Sequence, residues 1–339
     1  MNHTLSYQDV YLVPQYSNAH SRSEISVSVK FGLKTFRVPV VPANMKCTID
    51  DDKAKWLSEN GYFYVMHRFG RTTETKYDDM FRSVERANAE KWNTISISVG
   101  VQKEDRKFLD DCLKAFLRID YITIDIAHGD SVGMQEMLDF IKKMNTVDYS
   151  PFVIAGNVAT PEAVGHLTTW GADAVKCGIS NGESCTTYGK TGFGVPQFSC
   201  VLECAKVAKV PIIADGGIKT NGDIAKALAV GATMVMAGSV FAACSDSPSE
   251  SIIKMESCDW FECRGPKSYA PKHYKKYFGS ASSTNKGSKR HVEGTTVLLP
   301  VDPMTYEEKL VEMTEDLQSA CSYAGGSMRE LAVCPWGIR

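Results

Sequence analysis

The chain reads as an α/β protein built as a (β/α)8 barrel, and three observations predict that class. Eight short apolar runs alternate with amphipathic stretches between residues 38 and 239. Such alternation implies a parallel sheet covered on both faces, and eight units in so short a stretch close into a barrel rather than an open sheet. Polar and glycine-rich residues also gather at the C-terminal end of nearly every run, where barrels of this kind carry their active sites. The length of 339 residues fits one large barrel. The expected organisation is a single barrel domain over 1–339, with a lead-in at 1–37, a long excursion at 241–302 and no inserted regulatory domain.

In the lead-in, Asp9–Pro14 and Ile25–Val29 have strand character, separated by the polar Ser21-Arg22-Ser23-Glu24. The eight barrel runs are Val38–Met45, Tyr62–His67, Thr94–Gly100, Tyr121–His128, Phe152–Val158, Ala172–Gly178, Pro211–Gly217 and Met234–Ser239. Helical patterns lie between them. Asp51–Asn60 closes on Gly61, a helix-terminating glycine. Glu74–Lys91, Asp105–Arg118 and Ser131–Met144 repeat with a period near 3.6. Pro161–Trp170 begins with Thr160 as cap and proline in the first helical position. Asn221–Val230 ends at Gly231, and the eighth helix is expected over Thr305–Tyr323, before Gly325-Gly326. Residues 241–302 are rich in Lys, Ser, Gly and Tyr without clear periodicity, the mark of a functional flap or a disordered loop.

Composition narrows the function classes. The apolar share of 43% and charged share of 23% are those of a soluble globular protein, and a net charge of −2 gives no global reason for a nucleic-acid or membrane partner. No apolar run approaches a membrane span, and the N-terminus lacks the basic head and apolar core of a signal peptide. Eleven scattered cysteines without a CxxC pair argue against a disulfide framework or a zinc site and for reduced thiols in a cytoplasmic enzyme. The cluster Lys267–Tyr277 interleaves charge with aromatics. A solvated loop beside the barrel mouth explains it better than nucleic-acid binding.

The strand ends then supply a site. Asn44 and Met45 end the first run, His67 and Arg68 the second, Asp125 and His128 the fourth, and Gly156-Asn157 the fifth. Asp215-Gly216-Gly217 and Gly238-Ser239 end the seventh and eighth. Glycines there let backbone N–H groups approach an anion, the position where barrels hold a substrate phosphate. Asp215 beside it suits the hydroxyls of a sugar. Asp125, in an otherwise apolar run, needs a partner or a function, since burying it alone is costly. The sixth run leads into a small-residue loop ending in Cys185, flanked by Ser184 and Thr186. A reactive cysteine needs exposure of that kind, whereas Cys177 lies within the apolar run.

These segments together resemble a family. Cys185-Thr186-Thr187 with Lys190-Thr191-Gly192-Phe193-Gly194, Val41–Met45, Ile154–Val158, Ile213–Gly217 and Tyr277–Ser282 resemble the IMP dehydrogenase and GMP reductase superfamily, in order and over nearly the whole chain. Val41–Asp50 and Tyr62–Phe69 are similar to the shorter bacterial-type GMP reductases. The dehydrogenases usually insert a regulatory domain after the second strand and carry an Arg-Tyr dyad in the flap. Here His67-Arg68-Phe69-Gly70 runs directly into the next helix, and Lys289–Gly294 has no such tyrosine nearby.

The resemblance implies NADPH-dependent reductive deamination of GMP to IMP and ammonia, in purine nucleotide interconversion and salvage. It implies Cys185 as the nucleophile that forms a covalent thioimidate at C2, with Thr187 and Glu293 as the acid–base pair. It implies nucleotide contacts at Asp215, Gly216, Gly217, Gly238, Ser239, Gly279, Ser280, Ala281, Arg290 and Gly294. Cofactor contacts fall on Arg68 and Asp125, and on Ser21 and Arg22 from a neighbouring subunit of a homotetramer. A potassium ion held by the carbonyls of Ser180, Gly182 and Cys185 is implied too. The loop departs from the family's usual Gly-x-Gly-Pro-Gly by reading Gly178-Ile179-Ser180-Asn181-Gly182, and Glu183 replaces a serine or lysine. The alternatives are an IMP dehydrogenase lacking its regulatory domain and a purine-nucleotide-binding protein with little catalysis.

Overall fold

A computed structural model describes residues 4–70, 75–146, 149–257, 269–286 and 290–339. The lead-in forms β1 (Val10–Leu12), then a hairpin of β2 (Val29–Phe31) and β3 (Lys34–Phe36). The barrel strands are β4 (Val40–Pro42), β5 (Ser96–Val99), β6 (Tyr121–Asp125), β7 (Phe152–Val158), β8 (Ala174–Cys177), β9 (Ile212–Asp215) and β10 (Met234–Ala237). They form one parallel sheet in the order β4-β10-β9-β8-β7-β6-β5, so the first strand pairs with the last. Seven of the eight expected runs are therefore ladder strands.

The remaining run, Tyr62–His67, occupies the gap between β5 and β4 without a regular ladder. It joins β5 through the Met66 amide on Ser96 O at 3.1 Å and a single parallel bridge, Met66 to Ile97. The Tyr64 side chain takes over part of the missing pairing: its hydroxyl donates to Thr94 O at 2.9 Å and accepts from Ser96 N at 3.3 Å. Phe63 and Val65 face inward, packing with Val41, Tyr121, Ile154, Ala174, Ile213 and Met236 in the barrel interior. The barrel is thus closed by packing on this side.

The hairpin of the lead-in seals the N-terminal end. Phe31 and Phe36 pack on Phe63, Tyr121 and Phe152, with ring centroids 5.0–6.1 Å apart, and Tyr121 donates its hydroxyl to Phe31 O at 2.7 Å. Any chemistry therefore belongs at the opposite mouth. β1 pairs antiparallel with β14 (Trp336–Ile338), tying the two chain ends together. Of Ile25–Val29, only Val29 enters a strand.

The helices are α1 (Asp51–Glu59), α2 (Lys76–Ala89), α3 (Lys103–Lys114), α4 (Val132–Met144), α5 (Pro161–Trp170), α6 (Thr187–Thr191), α7 (Gln197–Val207), α8 (Asn221–Ala229) and α9 (Ser239–Ala242). The caps are those the side chains dictate. Asp50 accepts from the Lys53 amide at 2.8 Å, and Thr160 from that of Ala163 at 3.3 Å. The last long helix, Tyr306–Ala324, opens with Thr305 and Glu308 in a reciprocal capping box. Three of these helices escaped the periodicity reading, α6, α7 and α9. Residues 241–302 are not merely irregular. They hold an antiparallel sheet of β11 (Ser251–Ser257), β12 (Tyr269–Phe278) and β13 (Thr296–Pro300), with the short helix Ser283–Lys286 between β12 and β13.

Candidate active site

The strand-six loop and the flap are stitched together by backbone. Gly178 leaves β8 at φ +146°, and a Cβ there would lie 2.0 Å from Asp215 O, so only glycine lets the loop cross β9 this closely. Asn181 then fixes the loop from within: its amide donates to Val195 O at 2.9 Å, to Gln197 Oε1 at 2.7 Å and to Ile179 O at 3.1 Å. Cys185 closes a turn with its amide on Gly182 O at 3.0 Å and bridges antiparallel to Gly294. The Thr186 amide donates to Glu293 O at 3.0 Å, that of Thr295 to Ser184 O at 2.8 Å, and that of Glu293 to Ala281 O at 3.1 Å.

This brings three expected residues into one chain of contacts. Cys185 Sγ lies 3.2 Å from Thr187 Oγ1, and the Thr187 hydroxyl donates to Glu293 Oε2 at 2.8 Å. A hydroxyl that accepts from a thiol and donates to a carboxylate is a two-step proton path. Among the nine described cysteines, Cys185 alone is not fully buried. Burial pushes the Cys47 thiol up to about 11 and that of Cys112 to about 12.

Beside the thiol, Gly216, Gly217, Gly238 and Ser239 line a small recess with Asn181, Gly182, Glu183, Lys219 and Tyr277. Gly216 and Gly217 have φ of +99° and +79°. A Cβ on Gly238 would stand 2.4 Å from Tyr277 Oη. At these glycines the recess presents backbone rather than side chains, as an oxyanion cradle requires. Gly279, Ser280 and Ala281 follow β12 at the rim, where Ser280 O accepts the Asn285 amide at 2.9 Å. Gly294 is buried against Ser282 and Ala281. Arg290 lies exposed at the start of the flap's return segment.

The floor of the mouth holds a residue that the sequence reading missed, Lys176. Its ammonium sits 2.9 Å from Asp125 Oδ1 and 2.6 Å from Asp215 Oδ2, and it also donates to Asn157 Oδ1. Asn157 donates to Asp215 Oδ2 at 2.8 Å, and Asn44 to Asp125 Oδ2 at 3.1 Å. Burial alone would raise the Asp125 carboxyl, but Lys176 and Arg68 together hold it below the ordinary carboxylate value. The signal was present: a lysine inside Ala174–Cys177 needs anionic partners at the same barrel level.

Arg68 stands at this mouth with its guanidinium 5.1 Å above the Phe69 ring, and its buried Nε has no hydrogen-bond partner among the described residues. His67 is driven down to about 4 by burial and by Lys46. Ser21 and Arg22 lie elsewhere, on the barrel's outer side. Arg22 stacks 5.2 Å above Tyr323 and reaches Ser319 Oγ at 3.5 Å, so within one chain they do not join the cluster.

The basic cluster is largely neutralised. Lys276 pairs with Glu250 and Lys272 with Glu256, while Lys275 is buried on the carbonyls of Ser247 and Ser249. Lys267, Ser268 and Lys289 lie outside the described residues. Of the three carbonyls expected to hold potassium, that of Gly182 accepts the Cys185 amide at 3.0 Å, and a carbonyl oxygen keeps a second lone pair. Among the described residues no group of His, Cys, Asp and Glu could hold a metal, and no helix is long and apolar enough to cross a membrane.

A parallel barrel whose mouth brings Cys185, Thr187 and Glu293 into contact beside a glycine-lined recess defines an α/β-barrel enzyme. The chain belongs to the IMP dehydrogenase / GMP reductase domain family, whose model matches residues 4–332. It is 47% identical over 323 residues to the GMP reductase of Albidiferax ferrireducens, covering 94% of this chain and 91% of that protein. It is 45% identical over 322 residues to that of Lactobacillus delbrueckii subsp. bulgaricus, covering 94% and 90%. Against that of Bacillus subtilis it is 46% identical over 329 residues, covering 96% and 93%.

Proposed function

We propose that this chain reduces GMP to IMP with release of ammonia, using NADPH and a covalent intermediate on Cys185. The observation that carries the reading is the relay Cys185–Thr187–Glu293, with spacings of 3.2 and 2.8 Å. In this mechanism Cys185 Sγ bonds to C2 of the guanine, and its proton passes through Thr187 to Glu293. Glu293 returns that proton by the same hydroxyl to the exocyclic amine, which leaves as ammonia as its bond to C2 breaks. The thiol proton thus balances the departing amine, and a thioimidate remains. When bound, the nicotinamide supplies a hydride to C2. Collapse then expels the Cys185 thiolate and frees IMP.

The residues suit such a cofactor. The buried, unspent Nε of Arg68 is a donor awaiting an acceptor, and Asp125 beside it is an ionised acceptor. Arg68 and Asp125 would hold the cofactor, with Ser21 and Arg22 contributed by a neighbouring subunit of a homotetramer. Gly216, Gly217, Gly238 and Ser239, with Gly279 to Ala281, Arg290 and Gly294, would bind the phosphate and purine. Asp215 would accept from the ribose hydroxyls.

The test is to follow reduced-cofactor absorbance with NADPH and GMP, and separately with NAD⁺ and IMP. Consumption of NADPH with one ammonia per IMP is expected. Turnover only in the second mixture, or nucleotide binding without any turnover, overturns the reading.

A further inference from the structure

Lys176 has no role in the reaction just described, yet it is the most deeply buried charge at the barrel mouth, its side chain 2% exposed. It rises from β8 and meets Asp215 on the neighbouring β9. In the other direction it reaches past Asn157 on β7 to Asp125 on β6. Three acceptors match its three protons. None of these bonds uses Asp215 Oδ1, which is left for a ligand.

We propose that Lys176 is a positioning residue that couples the two ligand faces of the mouth. Its one ammonium bridges Asp215, the acceptor for the nucleotide sugar, and Asp125, the acceptor for the cofactor, and holds the two carboxylates at fixed separation, 2.6 and 2.9 Å from the same nitrogen. The identity of the two ligands rests on the function proposed above; the electrostatic role does not.

The physics is that of like charges in a confined site. Without the ammonium, Arg68 is the cation left facing two carboxylates and two neutral amides, and one of the carboxylates takes up a proton. A protonated carboxyl donates where the ligand needs an acceptor. The other groups facing the cluster do not titrate near neutrality. Arg68 stays charged. Tyr7 and Tyr277 are pushed up by burial, and Cys177 by its contact with Cys204 and by burial.

The experiment compares wild type, Lys176→Met and Lys176→Arg as full-length proteins. In the ligand-free state, infrared difference spectra of aspartate-labelled protein should show a carboxylic-acid band for Lys176→Met at neutral pH, absent from wild type and from Lys176→Arg. GMP affinity by calorimetry should fall about 100-fold near pH 6, and only about tenfold near pH 8.5, relative to wild type at the same pH. Taking the ratio cancels the titration of the phosphate itself. A purely structural lysine would lower the melting temperature but leave that ratio independent of pH. No acid band, or a flat ratio, overturns the proposal. If Lys176→Met does not fold, Lys176→Met/Asp125→Asn removes the second carboxylate. It should fold without the acid band and show a flat ratio, and an acid band there overturns the proposal. A wild type that does not bind GMP refutes the proposed function, while the infrared comparison still decides the role of Lys176.

Discussion

Glu293→Gln isolates the proton-carrying part of the relay. Glutamine is nearly isosteric and its carbonyl still accepts the Thr187 hydroxyl, now 2.8 Å from Glu293 Oε2. The segment itself is held by main chain: Thr186 N on Glu293 O, Glu293 N on Ala281 O, and the Cys185–Gly294 bridge. Side-chain substitution should therefore leave the flap in place and remove only the ability to take and return a proton. Positioned acid–base groups contribute about 10²–10⁴-fold, so kcat should fall about 10³-fold, roughly 4 kcal/mol of barrier. The KM for GMP should stay within about threefold, because no binding contact is removed. The assay is steady-state NADPH consumption across GMP concentrations, with a melting curve to confirm an intact fold. Thr187→Val should cost a similar factor, and the double variant little more than either alone, since the two act as one unit. A kcat within about threefold of wild type for Glu293→Gln, or an effect confined to KM, refutes the relay.

Other substitutions probe the rest of the site. Cys185→Ala should abolish turnover while calorimetry still detects GMP binding; residual activity near wild type would exclude a covalent route. Gly238→Ala places a methyl 2.4 Å from Tyr277 Oη. It should weaken GMP binding at least about tenfold by distorting the cradle, with little effect on guanosine binding by the same assay. His67 resists protonation in the fold, its pKa lowered from 6.5 to about 4 by burial and by Lys46. The unfolded chain binds that proton first as pH falls, so stability is lost between about pH 6.5 and 4 and levels off below, by up to roughly 3 kcal/mol. His67→Gln, whose carbonyl can still accept the Phe69 amide, should flatten that part of a chemical-denaturation pH profile. An unchanged slope would show that other groups set it.

The barrel was legible because its signals are local. Alternating apolar runs, Thr160-Pro161 at one helix start and Thr305 with Glu308 at another are decided within a few residues, and the structure keeps them. What was not legible depends on distant partners. Tyr62–His67 has a strand's composition, yet Tyr64 gives its hydroxyl to β5, and the run forms only one bridge. The flap strands β11 and β12 bury little on either face, so they leave no periodic apolar trace. Lys176 was hidden by its apolar neighbours. Its partners lie 51 and 39 residues away, and only β6 and β9 in register with β8 bring them to one ammonium. Glu293 stands 106 residues from Thr187; no spacing rule links them, and only family resemblance picked it out.

That separation explains how the loop tolerates an unusual sequence. Where a proline would stiffen the chain by fixing φ, Asn181 stiffens it by contacts, its amide held by Ile179, Val195 and Gln197. Ser180 adopts φ +73°, and its hydroxyl accepts the Tyr188 amide at 2.9 Å, anchoring the start of α6. Both contacts lock the segment on either side of Cys185 without touching the sulfur, Thr187 Oγ1 or Glu293. Glu183 is exposed at the rim of the cradle, with Lys219 lining the same recess. A carboxylate with water on one side and a cation along the same wall disturbs a bound phosphate far less than a buried one. The atypical residues thus replace one means of rigidity with another, while the Cys185–Thr187–Glu293 contacts are held from the opposite side by the flap.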